Sequence, residues 1–287
     1  MKKIYYITAV CATLFLVGCG DGIDLPGVNV ETDLNKIPLP DNNVNLEQVE
    51  LKPSTEPMLH EGLHTEEDFQ RIRDKKAAGE EPWVSAYQLL VESQFSQKTA
   101  DTYPTEWIKR GISGDENYMN AARGATIVYQ QALRWKIEQD DEYAAKAVEN
   151  LNKWVQTCVG VTGNTNLSLA AGLYGYEFAI AGELLRDYGG WDRADFAAFQ
   201  NWLLKVFYPA NDDFLKRHHD TNALHYWANW CLCNIAAKMA IGIVTDRRDI
   251  YNEGIAHLQT GDTNGRLRRA IYHDYAPDYN FAQWQES

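Results

Sequence analysis

The sequence contains almost nothing that reads as a β-strand. No stretch alternates apolar and polar residues in the two-residue period that a half-buried strand needs. Cysteine is scarce, five in 287 residues. Cys11 and Cys19 fall near the start; Cys158, Cys231 and Cys233 make neither a disulfide framework nor a CxxC metal pair. On a helix, Cys231 and Cys233 point in different directions, so all three later cysteines read as small core residues. No ligand set has metal spacing, and no metal or cofactor is expected. No segment repeats at a fixed period, which argues against simple repeat families such as tetratricopeptides. Positive charge is short too: 27 Lys and Arg face 40 Asp and Glu, for a net charge of -13. Such a chain does not seek nucleic acid or an anionic membrane surface.

What is present is apolar and aromatic. Hydrophobic residues make up 45% and aromatics 12% of the chain, enough for one or two domains with a real core. Charge is uneven: from Lys216 to His273 eight Lys/Arg stand against five Asp/Glu. A basic patch on an acidic protein suits an anionic ligand; ordinary surface scatter reads equally well.

The densest chemistry lies from Arg217 to Trp230. His218, His219, His225, Asn222, Asn229, Tyr226, Trp227 and Trp230 fall within this stretch, directly before the apolar run Cys231 to Ile243. Acid/base groups and hydrogen-bond donors thus meet aromatic rings where a helix begins, and ring faces pack on pyranose C–H groups. The plainer reading is half-buried packing at a helix start.

The first residues, Met1-Lys2-Lys3 and an apolar run to Val17, form a secretory signal. Leu16-Val17-Gly18-Cys19 resembles the bacterial lipobox. The apolar run is short for a membrane span. Residues 1–19 are therefore expected to be a lipoprotein signal, with Cys19 carrying the lipid and tethering the protein to the cell envelope. Residues 20–58, rich in Asp, Asn, Pro and Gly, read as a flexible linker.

Residues 59–287 read as helices joined by short breaks. Thr65-Glu66-Glu67-Asp68 is a capping-box start, Gly79 a stop, and Pro82 fits a following first turn. A polar loop around Tyr103 to Gly114 precedes an Ala-rich helix from Met119 to Ile137. Tyr143, Ala147, Leu151 and Val155 mark the next helix. Gly160 to Asn166 reads as a loop, and Leu169 to Leu185 as a helix stopped by Gly189-Gly190. Phe196 to Val206 is helical to Pro209, followed by Asn222 to Ile243 and about Asp249 to Leu258. The expected class is all-α: antiparallel helical hairpins in an (α/α) toroid or incomplete barrel.

Four stretches resemble the alginate lyase family of polysaccharide lyases. They are Leu63 to Phe69 with Ala78 to Trp83; Ala171-Gly172-Leu173-Tyr174-Gly175-Tyr176-Glu177 with Ala181 to Arg186; His225-Tyr226-Trp227-Ala228-Asn229-Trp230; and Asn264-Gly265-Arg266-Leu267 with the terminal Gln283 to Ser287. The likeness covers residues 60 to 287 and stops where the family continues into further helices. The chain is accordingly expected to be truncated at its C-terminus, and the toroid incomplete.

The resemblance implies cleavage of alginate or a related polyuronate by β-elimination, without a redox cofactor. A base removes the C5 proton beside the carboxylate, the C4–O bond breaks, and an unsaturated sugar remains. His225 is the first choice for base, since imidazole titrates near working pH; His218 is the second. Tyr272 is the choice for general acid, with Tyr226 and Tyr275 as rivals. Arg266 is the choice to hold the carboxylate with its planar fork, with Arg268 and Arg269 as rivals. Asn166 and Asn222 are candidates to neutralise it, although turn formation is the commoner use of Asn. Tyr226, Trp227, Trp230, Arg268 and Gln285 are further substrate contacts. His219 stands where the family often has Asn. The expected partners are an anionic polysaccharide and, through the lipid alone, a membrane. Two other readings are open: a non-catalytic glycan-binding lipoprotein, and an (α/α) glycoside hydrolase, which needs a carboxylate pair that this region hardly supplies.

Overall fold

A computed structural model describes residues 58, 60 and 62–272, all in the second of the two units into which the chain divides, Leu51–Ser287. The expected signal, linker and lipidation site Cys19 lie outside the described residues, as do Tyr275 and Gln285. So do the side chains of Arg268 and Tyr272. The described residues are mostly helical, in line with the all-α class. None of these helices is long and apolar enough to cross a membrane.

The chain enters through α1 (Glu66–Ala77), whose capping box forms as read. Thr65 Oγ1 accepts from the Asp68 amide at 3.1 Å, and an Asp68 carboxylate oxygen accepts from the Thr65 amide at 3.1 Å. After α2 (Trp83–Glu92) come β1 (Trp107–Arg110), α3 (Tyr118–Glu138), α4 (Asp141–Thr157), β2 (Gly160–Gly163) and α5 (Asn166–Leu184). Then follow α6 (Arg193–Val206), α7 (Tyr208–Arg217), α8 (Ala228–Val244), α9 (Arg248–Thr260) and α10 (Leu267–Tyr272).

Helices α3, α5 and α8 form an inner layer and run the same way. Near its start α5 meets the start of α8: Ser168 bonds His219, just ahead of α8, and a Cβ on Gly172 would lie 2.5 Å from Cys233 Sγ. At its end, the Arg186 guanidinium donates to the carbonyls of Ile243 and Val244, the end of α8. Each inner helix has an antiparallel partner. Gly175 touches Phe207 and Gly182 touches Phe199, so α6 runs against α5. Gly242 touches Tyr251 and Gly254 touches Met239, so α9 runs against α8. On α4, Trp154 meets Gly124 early in α3 and Tyr143 meets Arg134 late in it. Three inner–outer hairpins in sequence are the repeating unit of an (α/α) toroid. Glycines set the inner contacts, because side chains there would hold the axes apart. The core runs between the two layers, with Trp154, Phe178, Phe199, Phe207 and Leu203 almost wholly buried.

Five expectations need correction. The stretches expected to be loops contain a two-stranded parallel pair, Trp107 opposite Gly160 through Arg110 opposite Gly163. Four residues per strand are too few to show alternation. Gly163 has φ 149° and a Cβ there would sit 1.7 Å from the Arg110 carbonyl oxygen, so glycine is required. The helix expected from Asn222 begins only at Ala228, because the preceding residues form a turn (below). Pro209, expected only to end α6, also opens an additional helix, α7, where proline fits the first turn. A further short helix, α10, begins at Leu267. Finally, most of the basic stretch is neutralised. Lys216 pairs Asp212, Arg217 pairs Asp213 and Asp220, Arg247 pairs Asp249, and Arg269 pairs Asp262. Lys238, fully buried, lies 2.8 Å from Asp212 and 2.6 Å from Glu253.

Gly172→Ala should lower stability by about 1–3 kcal/mol, through overpacking between α5 and α8. Urea unfolding followed by circular dichroism should show a lower midpoint with the native helix signal retained. An unchanged midpoint would mean that the two helices separate without cost.

Candidate active site at the inner helix starts

The starts of α3, α5 and α8 converge, and β1 and β2 deliver the chain to the first two. Arg110, the last residue of β1, lies there. Its guanidinium covers the Tyr118 ring at 4.7 Å and lies 3.5 Å from Tyr174 Oη. Its charge also reaches Cys233 on α8. Among the described residues Arg110 has no carboxylate in ion-pair range. A partly exposed guanidinium with no counter-charge, flanked by two phenols, is suited to grip an anionic group in its planar fork.

One turn beyond Tyr174 on the same helix face is Glu177. Its carboxyl has no hydrogen-bond or ion-pair partner among the described residues. Protein surrounds it although it still touches solvent, and this burial pushes its pKa up to about 7. Tyr129 of α3 and Tyr174 both lie near enough to feel its charge. Burial first pushes both phenols up, with smaller raising contributions from Tyr176 and then Glu177 for Tyr129, and from Tyr118 and then Glu177 for Tyr174, where Arg110 acts against them. Tyr129 Oη is 2.6 Å from His64 Nε2, whose pKa burial lowers. Arg110, Tyr118, Tyr129, Tyr174 and Glu177 are not among the site residues expected from the sequence. Glu177 and Tyr174 lay inside a quoted motif, and their spacing along α5 was the available signal. Arg110 had no local signal, because only the strand pair carries it to α5.

The loop before α8 is shaped by its backbone. His218, His219 and Asp220 all have φ near +50° to +60°, a left-handed conformation that costs side-chain-bearing residues energy and persists only where packing holds it. This turn brings His219 Nε2 to 2.9 Å from Ser168 Oγ and sets its ring 5.7 Å from Tyr226. His218 turns inward: it is buried, its Nε2 is 3.8 Å from Cys231 Sγ, and its ring lies on Phe214 at 5.0 Å. Burial lowers its pKa, as does the neighbouring His219. Tyr226 is buried among Phe214, His219 and Trp230, with ring centroids 4.8–5.7 Å away. Burial raises its phenol, against a hydrogen bond with Thr165. His225 and Trp227 are exposed, with the His225 ring edge-on to Tyr226 at 5.0 Å.

Other sequence candidates take local duties. Asn222 Oδ1 accepts from the Leu224 amide at 2.8 Å, a turn contact. Asn166 opens α5 and donates through its amide and side-chain nitrogens to Asn164 Oδ1, both at 2.9 Å. Arg266 Nε donates to the Gln259 carbonyl at 3.1 Å, at the end of α9. The adjacent Asn264 ties down the His225 loop, donating to the carbonyls of Leu224 at 2.8 Å and Tyr226 at 2.7 Å. The structure therefore gathers Tyr226, Trp230 and His219 beside Asn166's helix start, while Arg266 lies in the loop that braces them.

An all-α array of inner–outer hairpins, with phenols, imidazoles and a guanidinium unopposed among the described residues at one end of its inner layer, has the build of a polysaccharide lyase. The alginate lyase family matches residues 72–270, more than half of the sequence, and the chain belongs to that family. It is a polysaccharide lyase, and a polysaccharide is its substrate. No curated protein matches the chain.

Glu177→Gln tests the electrostatics directly. Glu177 has a folded pKa about 7, above its unfolded value, so the folded state binds its proton more tightly. That contribution is full below the unfolded pKa and is lost as pH rises through 7. Gln, which cannot ionise, should match wild type near pH 5 and exceed it at pH 8 by roughly 1–3 kcal/mol. Melting temperatures across that range should diverge upward with pH; parallel curves would show that Glu177 is not so buried.

Proposed function

We propose that this lyase acts on a polyuronate, alginate or a close relative, by β-elimination at the starts of the inner helices. Arg110 is the observation that carries this reading: a guanidinium with no counter-charge among the described residues, between two phenols, at the meeting point of three helices. A uronate carboxylate docked there has its charge opposed. That makes the neighbouring C5 proton acidic enough to remove, because the electron pair it leaves spreads onto the carboxylate. His225, at the same end of the layer and solvent-accessible, takes the C5 proton. The electron pair forms the C4=C5 bond, the C4–O bond breaks, and the departing oxygen takes a proton from an acid. Tyr272 remains the proposed acid on the strength of the family resemblance, with Tyr226 as its rival. Trp227 and Trp230 offer ring faces to neighbouring sugars. Asn166 and Asn222 hold turns, so charge neutralisation is assigned here to Arg110; Arg266 bonds the Gln259 carbonyl at the end of α9. His218 is buried against Phe214 and Cys231, which favours the exposed His225 over it as the base. No cofactor enters this scheme.

Incubation of the full chain with alginate should raise absorbance in the ultraviolet band of a conjugated uronate. Arg110→Ala should lower kcat/KM by about a hundredfold or more, and His225→Ala by about 10²–10⁴-fold, with circular dichroism unchanged. An Arg110→Ala protein as active as wild type would remove the carboxylate grip from this site. Activity on neutral glucans but not on alginate would overturn the polyuronate assignment.

The leader supports a second proposal: Cys19 carries a lipid that holds the protein at the bacterial envelope, outer membrane or periplasmic face, with residues 20–58 as a spacer. Expressed in a bacterial host with labelled fatty acid, wild type should take up label and sediment with membranes. Cys19→Ala should do neither; label retained by that variant would reject the anchor.

A further inference from the structure

On the far side of α3 from the Arg110 site lies a separate hollow of about 340 Å³. Its walls include Phe95, Tyr103, Asn120 and Arg123, with Gln94 and Asp101 at its edge. Asn120 and Arg123 are three apart on α3 and so neighbour each other on one face. At 100° per residue that face lies roughly opposite the one bearing Tyr118 and Tyr129. Tyr103 is 74% exposed, and no ring stacks on it among the described residues. The side chains of Gln94, Asn120 and Arg123 have no hydrogen-bond or ion-pair partner among the described residues. Asp101, the one carboxylate in the lining, is already held by Lys146 at 2.6 Å and Lys153 at 3.0 Å, so it does not oppose an incoming anion. The floor is firm: Asn150 and Gln131, both fully buried, fix the 97–102 segment through the carbonyls of Gln97 and Ala100 and the amide of Thr102.

We propose that Tyr103, Asn120 and Arg123 form a second binding site, for a uronate unit of the same polymer, remote from the site of cleavage. The Tyr103 ring takes the C–H face of the pyranose, the Asn120 amide bonds its hydroxyls with Gln94 at the edge beside it, and Arg123 pairs with its carboxylate. The hollow holds about one sugar, too little for chain cleavage and enough to keep a long chain on the enzyme between cuts. Effective concentration then favours long chains over short ones. This inference rests on the polyuronate reading for the identity of the sugar.

The test is electrophoresis of the whole protein through gels containing alginate, with dextran gels as the neutral control, beside kinetics on polymeric alginate and on a uronate trimer. Wild type should be retarded by alginate and not by dextran. Tyr103→Ala and Arg123→Ala should each lose part of that retardation. Each should raise KM for the polymer about fivefold, as loss of one exposed ion pair or ring contact implies, with trimer turnover unchanged. Retardation equal to wild type in both variants overturns the second site. So does a matching loss of trimer turnover, which would place these residues in the cleavage site, and so does equal retardation by dextran, which would remove the carboxylate contact. A wild type that splits alginate while the variants behave like it leaves the lyase reading standing. A wild type neither retarded by alginate nor able to split it defeats both.

Discussion

Close, parallel packing of α3, α5 and α8 is the constraint on which everything else in this molecule rests. Where α5 meets α8, Gly172 lies against Cys233 and the Asn234 amide, with no room for a methyl group. That proximity brings the helix starts together, and each start is preceded by a segment rich in polar side chains. The strand pair performs the same service for α3 and α5. It is only four residues long, yet it fixes the exits of two loops side by side and leaves Arg110 pointing into the gap. Chemistry arises here because backbone geometry delivers short segments to one place.

Charge in the protein is arranged in two contrasting ways. Among the described residues, most cations of the C-terminal half are paired, including Lys238, which is wholly buried and held by two carboxylates. Removing a buried charge's partner is costly whereas replacing the pair by apolar groups often is not, so the Lys238 pairing speaks for fixed geometry between α7, α8 and α9 more than for stability. Arg110 and Glu177 are the opposite case. Each is left without a counter-charge by the described residues, and they share the face that also holds Tyr174. Unpaired groups of opposite tendency, a permanent cation and an acid poised near neutrality, are the mark of a working site rather than a structural one.

The family and the helical class were legible in the residues. Helical periodicity is local, and the capping box at Thr65 formed as its four residues require. The strand pair was illegible because four residues hold too little pattern. The late start of α8 was illegible for another reason. Asn222, Leu224 and His225 resemble a helix entry, but Asn264, some forty residues on, ties the loop carbonyls and keeps it open. Asn264-Gly265-Arg266 drew notice as a motif for its arginine. Its asparagine braces the loop, and its glycine lies against Cys231.

By itself, the sequence determined that the chain is helical, that it is acidic, and which residue types gather before α8, since these follow from composition and from neighbours within a few turns. Tertiary structure alone decided which arginine stands unopposed among the described residues, which histidine is buried and which reaches solvent. Whether Glu177 keeps its proton near neutral pH was decided there too. Each of those depends on which groups from distant segments come within a few ångströms, and on how much water they exclude, and no local pattern encodes either.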